Sequence, residues 1–129
     1  MLPDGEKAMF HIRRIEARLG ADGVVKAFEV LLRHLADQSR FELEATSHGA
    51  FSALALRYGG RRCHEFRGTR NWIAWYFRKP AFQQRLTTRA EVLETFRFAD
   101  PHYNARAEEV WVKIRTPQDA KRVLSHVLN

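Results

Sequence analysis

Two stretches near the start of the chain repeat apolar residues at helical spacing. Ala8, Ile12, Ile15 and Leu19, with Met9 beside them, fall at i, i+4, i+7 and i+11 and predict an amphipathic helix over 6–19. Asp4 is placed to cap its start and Gly20 to stop it in the left-handed conformation. Val24, Phe28, Leu31, Leu32 and Leu35 form the stripe of a second helix over 23–37. The link between them, Gly20-Ala21-Asp22-Gly23, is short, which predicts a helical hairpin over 6–37.

After Ser39 the period changes to two. Phe41, Leu43 and Ala45 alternate with Glu42 and Glu44, the pattern of a short edge strand. A β-meander follows, so that 41–78 is read as one sheet-forming block. Its strands are 50–58, then 61–66 after the hairpin signal Gly59-Gly60, then 72–78. The last of these, WIAWYFR, is apolar on both faces and is expected to be central. Thr88 and Glu91 make a capping box before a short helix over 89–97. Val110, Val112 and Ile114 alternate in a strand over 109–115. Thr116-Pro117 opens a final helix over 117–128 whose stripe is Ala120, Val123, Leu124, Val127 and Leu128. The order predicts one α+β domain over 1–129, with the helices and the further strand packed on one sheet.

Charge alters this picture only when it is located. The 129 residues carry 22 Lys and Arg against 15 Asp and Glu, a net +7. Residues 1–56 hold seven basic and eight acidic side chains, and 90–129 hold six of each. Residues 57–89 hold nine basic residues and one acid, Glu65, together with seven of the fifteen aromatics. A hydrophobic fraction of 45% excludes a disordered chain, and no apolar run approaches the ~20 residues of a membrane span. The opening MLPDGEKAMF lacks the basic-then-apolar layout of a secretory signal, so the expectation is a cytoplasmic protein without a membrane partner. A single cysteine, Cys63, excludes an intrachain disulfide and a cysteine-based zinc site. No metal or other cofactor is expected. Arg outnumbers Lys 17 to 5, which suits phosphate recognition and equally a GC-rich coding sequence. The expected source is a prokaryote or a mobile element.

Strand register turns the basic segment into a surface. If Gly59-Gly60 is the whole loop, Tyr58 pairs with Arg61, Arg57 with Arg62, Leu56 with Cys63 and Ala55 with His64. Leu54, Leu56, Tyr58 and Cys63 then face the core, while Arg57, Arg62, His64 and Phe66 share the other face. The opposed arginines require a carboxylate between them. Trp111, Lys113 and Arg115 point outward from the strand over 109–115. Such a face holds phosphates with guanidinium groups and stacks bases on rings, unless a helix covers it. The turn Arg67-Gly68-Thr69-Arg70-Asn71 can also cradle a phosphate, and Arg78, Lys79, Arg85 and Arg89 continue the basic run. Arg57, Arg61, Arg62, His64, Arg67, Arg70, Arg78, Lys79, Arg85, Arg89, Trp111, Lys113 and Arg115 are therefore the candidate nucleic-acid contacts. Trp72, Trp75 and Tyr76 are further aromatic candidates, of which some belong to the core.

No pair among the six histidines has ligand spacing, and there is no Gly-rich phosphate loop or nucleophile elbow. The best catalytic set is His64 and Glu65 for proton transfer with Arg62, Arg67 and Arg78 for phosphate charge. Neighbours on a strand point to opposite faces, which argues against His64 and Glu65 acting together.

The element order is similar to the core of restriction-endonuclease-like folds. That resemblance implies an inactive relative that keeps DNA contacts, because only Glu65-Phe66-Arg67 stands where those folds need Asp and Glu-x-Lys to hold a metal. His64-Glu65-Phe66-Arg67 followed by Trp75-Tyr76-Phe77-Arg78-Lys79 also resembles the strand pair of RelE-type toxins, which implies metal-independent RNA cleavage. Neither resemblance assigns a family.

The sequence thus favours a non-enzymatic nucleic-acid-binding domain of modest sequence preference, with DNA slightly ahead of RNA. The alternatives are a protein-interaction module for an acidic partner (an inhibitor, adaptor or subunit of a larger complex) and a small metal-independent nuclease.

Overall fold

Alternating strands dominate the middle of the chain, and in the computed structural model they form one antiparallel sheet. The structure describes residue 2 and residues 5–129, and the predicted Asp4 cap lies outside them. In chain order the elements are α1 (Glu6–Ala17), α2 (Asp22–Asp37), β1 (Glu42–His48), β2 (Phe51–Tyr58), β3 (Arg61–Gly68), β4 (Ile73–Phe77), α3 (Lys79–Gln83), α4 (Arg89–Thr95), β5 (His102–Asn104), β6 (Glu109–Ile114) and α5 (Pro117–Leu128). A single 3₁₀ turn, Arg97–Ala99, follows α4. The fold is α+β with a helical hairpin at its N-terminal end. The short elements α3 and β5 were not anticipated from the sequence.

The strands lie in the order β1-β2-β3-β4-β6-β5, every neighbouring pair antiparallel. β4 is central, as its two apolar faces predict. Gly59 and Gly60 form the β2–β3 turn with φ of 59° and 77°, values that favour glycine in a two-residue hairpin loop. The caps also follow the sequence: the Thr88 side chain accepts from the Glu91 N–H, and that of Thr116 from the Asp119 N–H. Gly20, in contrast, does not adopt a left-handed conformation, and α1 ends at Arg18 in right-handed geometry. The Gly20 N–H instead donates to the Arg70 carbonyl at 3.0 Å.

The register of β2 against β3 departs from the predicted one. Tyr58 pairs with Arg61 and Arg57 with Arg62, but Leu56 pairs with His64 rather than Cys63, and Ala55 with Glu65 rather than His64. Cys63 is the extra residue of a β-bulge, and one extra residue inverts every side chain beyond it. His64 and Phe66 therefore join Leu54 and Leu56 on the core face. Glu65 and Arg67 take the opposite face.

All the helices lie on the core face. α1 crosses β1 and β2, while α2 runs beside α5. Trp75 stacks on Phe66 at 5.2 Å and 4°, and both are fully buried with Phe28, Phe77 and Phe96. Each such side chain contributes roughly 1.5–3 kcal/mol through burial. Gly68 permits the close approach of α1, since a Cβ there would meet Leu19 Cδ2 at 2.6 Å and the Ile15 carbonyl at 2.8 Å. The other face carries no helix. Ala53, Ala55 and Ala74 are buried there outside the core cluster, beneath the long polar side chains of neighbouring strands. No described helix is long and apolar enough to cross a membrane.

Candidate nucleic-acid interface

The open face is built by parity. Glu44, Thr46 and His48 on β1, Arg57 on β2, Glu65 and Arg67 on β3, Tyr76 on β4, and Glu109, Trp111 and Lys113 on β6 all point away from the helices. The alanines of β2 leave space above them. Long side chains from β1 and β3 meet across that space.

Three charged groupings result. At the β2–β3 end, Glu44 sits between the opposed Arg57 and Arg62, bonding Arg57 at 2.8 Å and Arg62 through its other oxygen. Burial raises the Glu44 carboxyl, but the two guanidinium groups outweigh it and hold the pKa below the ordinary value. This is the carboxylate that the opposed arginines require. At the β6 end, Asp100 accepts from Arg115 at 2.8 Å and faces Lys113 at 3.8 Å, so its pKa is also lowered.

Between them lies the third grouping, where His48 Nε2 meets Glu65 Oε1 at 2.5 Å and the Thr46 hydroxyl donates to the same oxygen at 3.2 Å. Arg78 stands 3.5 Å from Glu65 and 3.8 Å from Glu109. Burial raises the Glu109 pKa and the nearby Glu65 charge adds to this, against Arg78 and Arg67. A cavity of about 200 Å³ is lined by His48, Glu65, Arg67, Tyr76, Arg78 and Glu109.

Arg67 and Tyr76 also line a second, larger groove of about 290 Å³ that runs on to Phe51, Trp72, Trp111 and Arg18. It is aromatic and cationic. The Arg67 guanidinium lies over the Tyr76 ring at 4.9 Å and the Phe51 ring at 5.6 Å, and donates to the Tyr76 hydroxyl. Arg18 covers the other part of Phe51 at 4.3 Å. Lys113 sits over Trp72 at 4.5 Å, and Trp111 lies between Tyr76 (5.9 Å) and His102, on which it stacks at 4.5 Å and 13°.

The predicted site residues are thus divided. Arg57, Arg62, Arg67, Arg78, Trp111, Lys113 and Arg115 share the open face. His64 does not: it is buried among Phe41, Trp75 and Phe77, with the Trp75 indole N–H donating to Nδ1 at 3.4 Å. Burial, together with the nearby positive groups, drives its pKa down to about 3, so it is a neutral core residue and neither a phosphate contact nor an acid–base group. Phe66 and Trp75 are also core. Arg61 is exposed at the β2–β3 turn, and Arg70 is exposed beside the α1–α2 link. The turn over 67–71 closes on itself, Thr69 N–H and hydroxyl both donating to the Trp72 carbonyl, at 2.9 and 2.7 Å. Lys79, paired with Glu108 at 2.6 Å, Arg85 and Arg89, which lies over Tyr103, belong to the α3–α4 side.

Of the proposed catalytic set, Glu65, Arg67 and Arg78 come together, Arg62 lies with Glu44, and the histidine beside Glu65 is His48. His48, Glu109 and Phe51 were missed. Continuing the Glu42, Glu44, Thr46 alternation by one step would have reached His48, and the parity of Trp111 and Lys113 would have reached Glu109. Among the described residues no group of three His, Cys, Asp or Glu comes together to hold a metal ion. No family model, curated protein or solved structure matches the chain.

Proposed function

We propose that the protein binds single-stranded nucleic acid across the open face of its sheet. The observation that carries this reading is the groove through Phe51, Arg67, Tyr76 and Trp111, where rings and guanidinium groups alternate on a surface no helix covers. Bases have π-faces that stack on such rings whatever their sequence, and the cations take the phosphates. The open face offers no protruding helix to a major groove, which favours a single strand over a duplex. Arg57, Arg62, Lys113 and Arg115 are already paired with carboxylates, so they orient the face and add little net charge, whereas Arg78 reaches Glu65 and Glu109 only at 3.5 and 3.8 Å. Arg67, Arg18 and the exposed Arg70 and Arg61 are the groups with charge to give to phosphates. A cytoplasmic location goes with this partner.

The test is titration of labelled single-stranded RNA, single-stranded DNA and duplex DNA at two salt concentrations. Both single strands are expected to bind more tightly than the duplex. For three phosphates neutralised, log affinity should fall with log salt at a slope of about −2. Absence of binding to all three at low salt overturns the reading.

A further inference from the structure

The cavity beside the groove has a different composition from the groove itself. The groove is rings and cations, whereas the cavity brings together an imidazole, two carboxyl groups, two guanidinium groups and a phenol. We propose that this cavity cleaves RNA by transesterification at a ribose 2′-hydroxyl, with His48 as the base oriented by Glu65 and with Glu109 as the acid. The inference rests on the binding reading, because a strand stacked in the groove would carry its backbone past Arg67 and Tyr76, which line both spaces.

The placement supports these roles. Glu65 is held by three groups, two from β1 and one from the segment after β4, and its side chain is only 11% exposed, so its position is fixed. It accepts from one nitrogen of His48, Nε2, and thereby leaves Nδ1 free to take a proton. His48 is 42% exposed, open to a strand entering from solvent. This is the arrangement of a base whose tautomer and direction are set by a buried carboxylate. Arg78 reaches its two carboxylates only at 3.5 and 3.8 Å, loose contacts that a phosphate can replace with closer ones. The raised pKa of Glu109 helps its carboxyl to hold a proton for delivery. His48 and Glu109 stand on opposite sides of Glu65 and Arg78, one on β1 and the other on β6. An in-line displacement needs its base and acid on opposite sides in this way.

The step balances within the cavity. His48 Nδ1 takes the 2′-hydroxyl proton as the 2′-oxygen bonds to phosphorus. The bond from phosphorus to the 5′-oxygen breaks, and that oxygen receives the Glu109 proton. Arg67 and Arg78 take the charge that grows on the non-bridging oxygens. The products are a 2′,3′-cyclic phosphate and a 5′-hydroxyl, and exchange with solvent restores both protonation states. The nucleophile is internal to RNA. This donor set activates it by proton transfer alone, and DNA has no such hydroxyl.

The experiment uses labelled single-stranded RNA, the same sequence as DNA, and the same sequence as 2′-O-methyl RNA, each with the full chain in chelator. The RNA should be cut to fragments ending in cyclic phosphate, while the DNA and the 2′-O-methyl RNA are bound and left intact. His48→Asn and Glu65→Gln should each slow cleavage by about 100-fold or more, with 2′-O-methyl RNA binding unchanged. His48 is exposed on an edge strand, so its variant keeps the fold and decides the matter if Glu65→Gln does not fold. RNA that is bound and never cut overturns this inference and leaves the binding reading standing. Fragments with 5′-phosphate ends, cleavage of the 2′-O-methyl strand, or full activity in His48→Asn also overturn it. No binding of any strand overturns both.

Discussion

The two faces of one sheet use the same six strands in opposite ways. On the helix-covered face the large residues are Phe66, Trp75, Phe77 and Leu54, and the histidine among them, His64, is held neutral. On the open face the small residues are Ala53, Ala55 and Ala74, and every large side chain is polar, charged or half-buried aromatic. The core face fixes the shape by filling volume. The open face keeps its chemistry by leaving volume out, so that His48 reaches Glu65 over an alanine floor. His48 and His64 show the difference most directly: the same residue type, one exposed beside a carboxylate and the other sealed among aromatic rings and held neutral.

This contrast can be broken most strongly at the ring stack. Trp75→Ala should cost about 3–5 kcal/mol of unfolding free energy, whereas Trp111→Ala, on the opposite face of the sheet, should cost less than about 1 kcal/mol. Denaturant titration of both variants checks this, and equal losses would mean that the open face is part of the core. The same Trp111→Ala variant should lose about 10- to 100-fold in single-strand affinity, from ~1–3 kcal/mol of stacking per base, measured by fluorescence anisotropy.

The buried histidine makes the stability of the core face depend on pH. The pKa of His64 is about 3 when folded, against 6.5 for the ordinary side chain, so between these values the unfolded chain binds a proton that the folded chain excludes. Its contribution is complete above pH 6.5 and falls as the pH drops towards 3, with a slope of up to ~1.4 kcal/mol per pH unit. Denaturant titrations at pH 7 and pH 5 should show this loss in the wild type and a smaller one in His64→Leu. The smallest effect is expected at the other end of the open face. Glu44→Gln removes the carboxylate between Arg57 and Arg62 and should destabilise by about 1 kcal/mol or less, because that pair is partly exposed. High salt should reduce this difference in a thermal melt.

Much of the fold is legible in local signals. Alternation in Val110, Val112 and Ile114, the Gly59-Gly60 turn, and the Thr88 and Thr116 caps each act within a few residues. The face assignment of β3 failed because two signals conflicted. The alternation of β3 itself sends His64, Phe66 and Gly68 to one side and Glu65 and Arg67 to the other, while an unbroken hairpin register requires the reverse. Burial of Phe66 prevails, and Cys63 is extruded as the bulge. The basic window was misleading in another way. Glu44, Glu108 and Glu109 lie outside 57–89 in sequence and beside its cations in space, and only the folded chain pairs them. The face of His48 was one step along the β1 alternation, but its pairing with Glu65 was not legible, since β2 separates the two strands.

If function lies on the open face, charge reversals on the two sides of the sheet must differ in effect. Arg67→Glu alters the groove, and Arg33→Glu makes the same change at an exposed position of α2 on the helical side. Titrated with one labelled single-stranded RNA at one low salt concentration, Arg67→Glu is expected to lose about 10-fold or more in affinity. Arg33→Glu should stay within about twofold of the wild type. Equal losses in the two variants would contradict the account, because binding would then follow net charge and not the face.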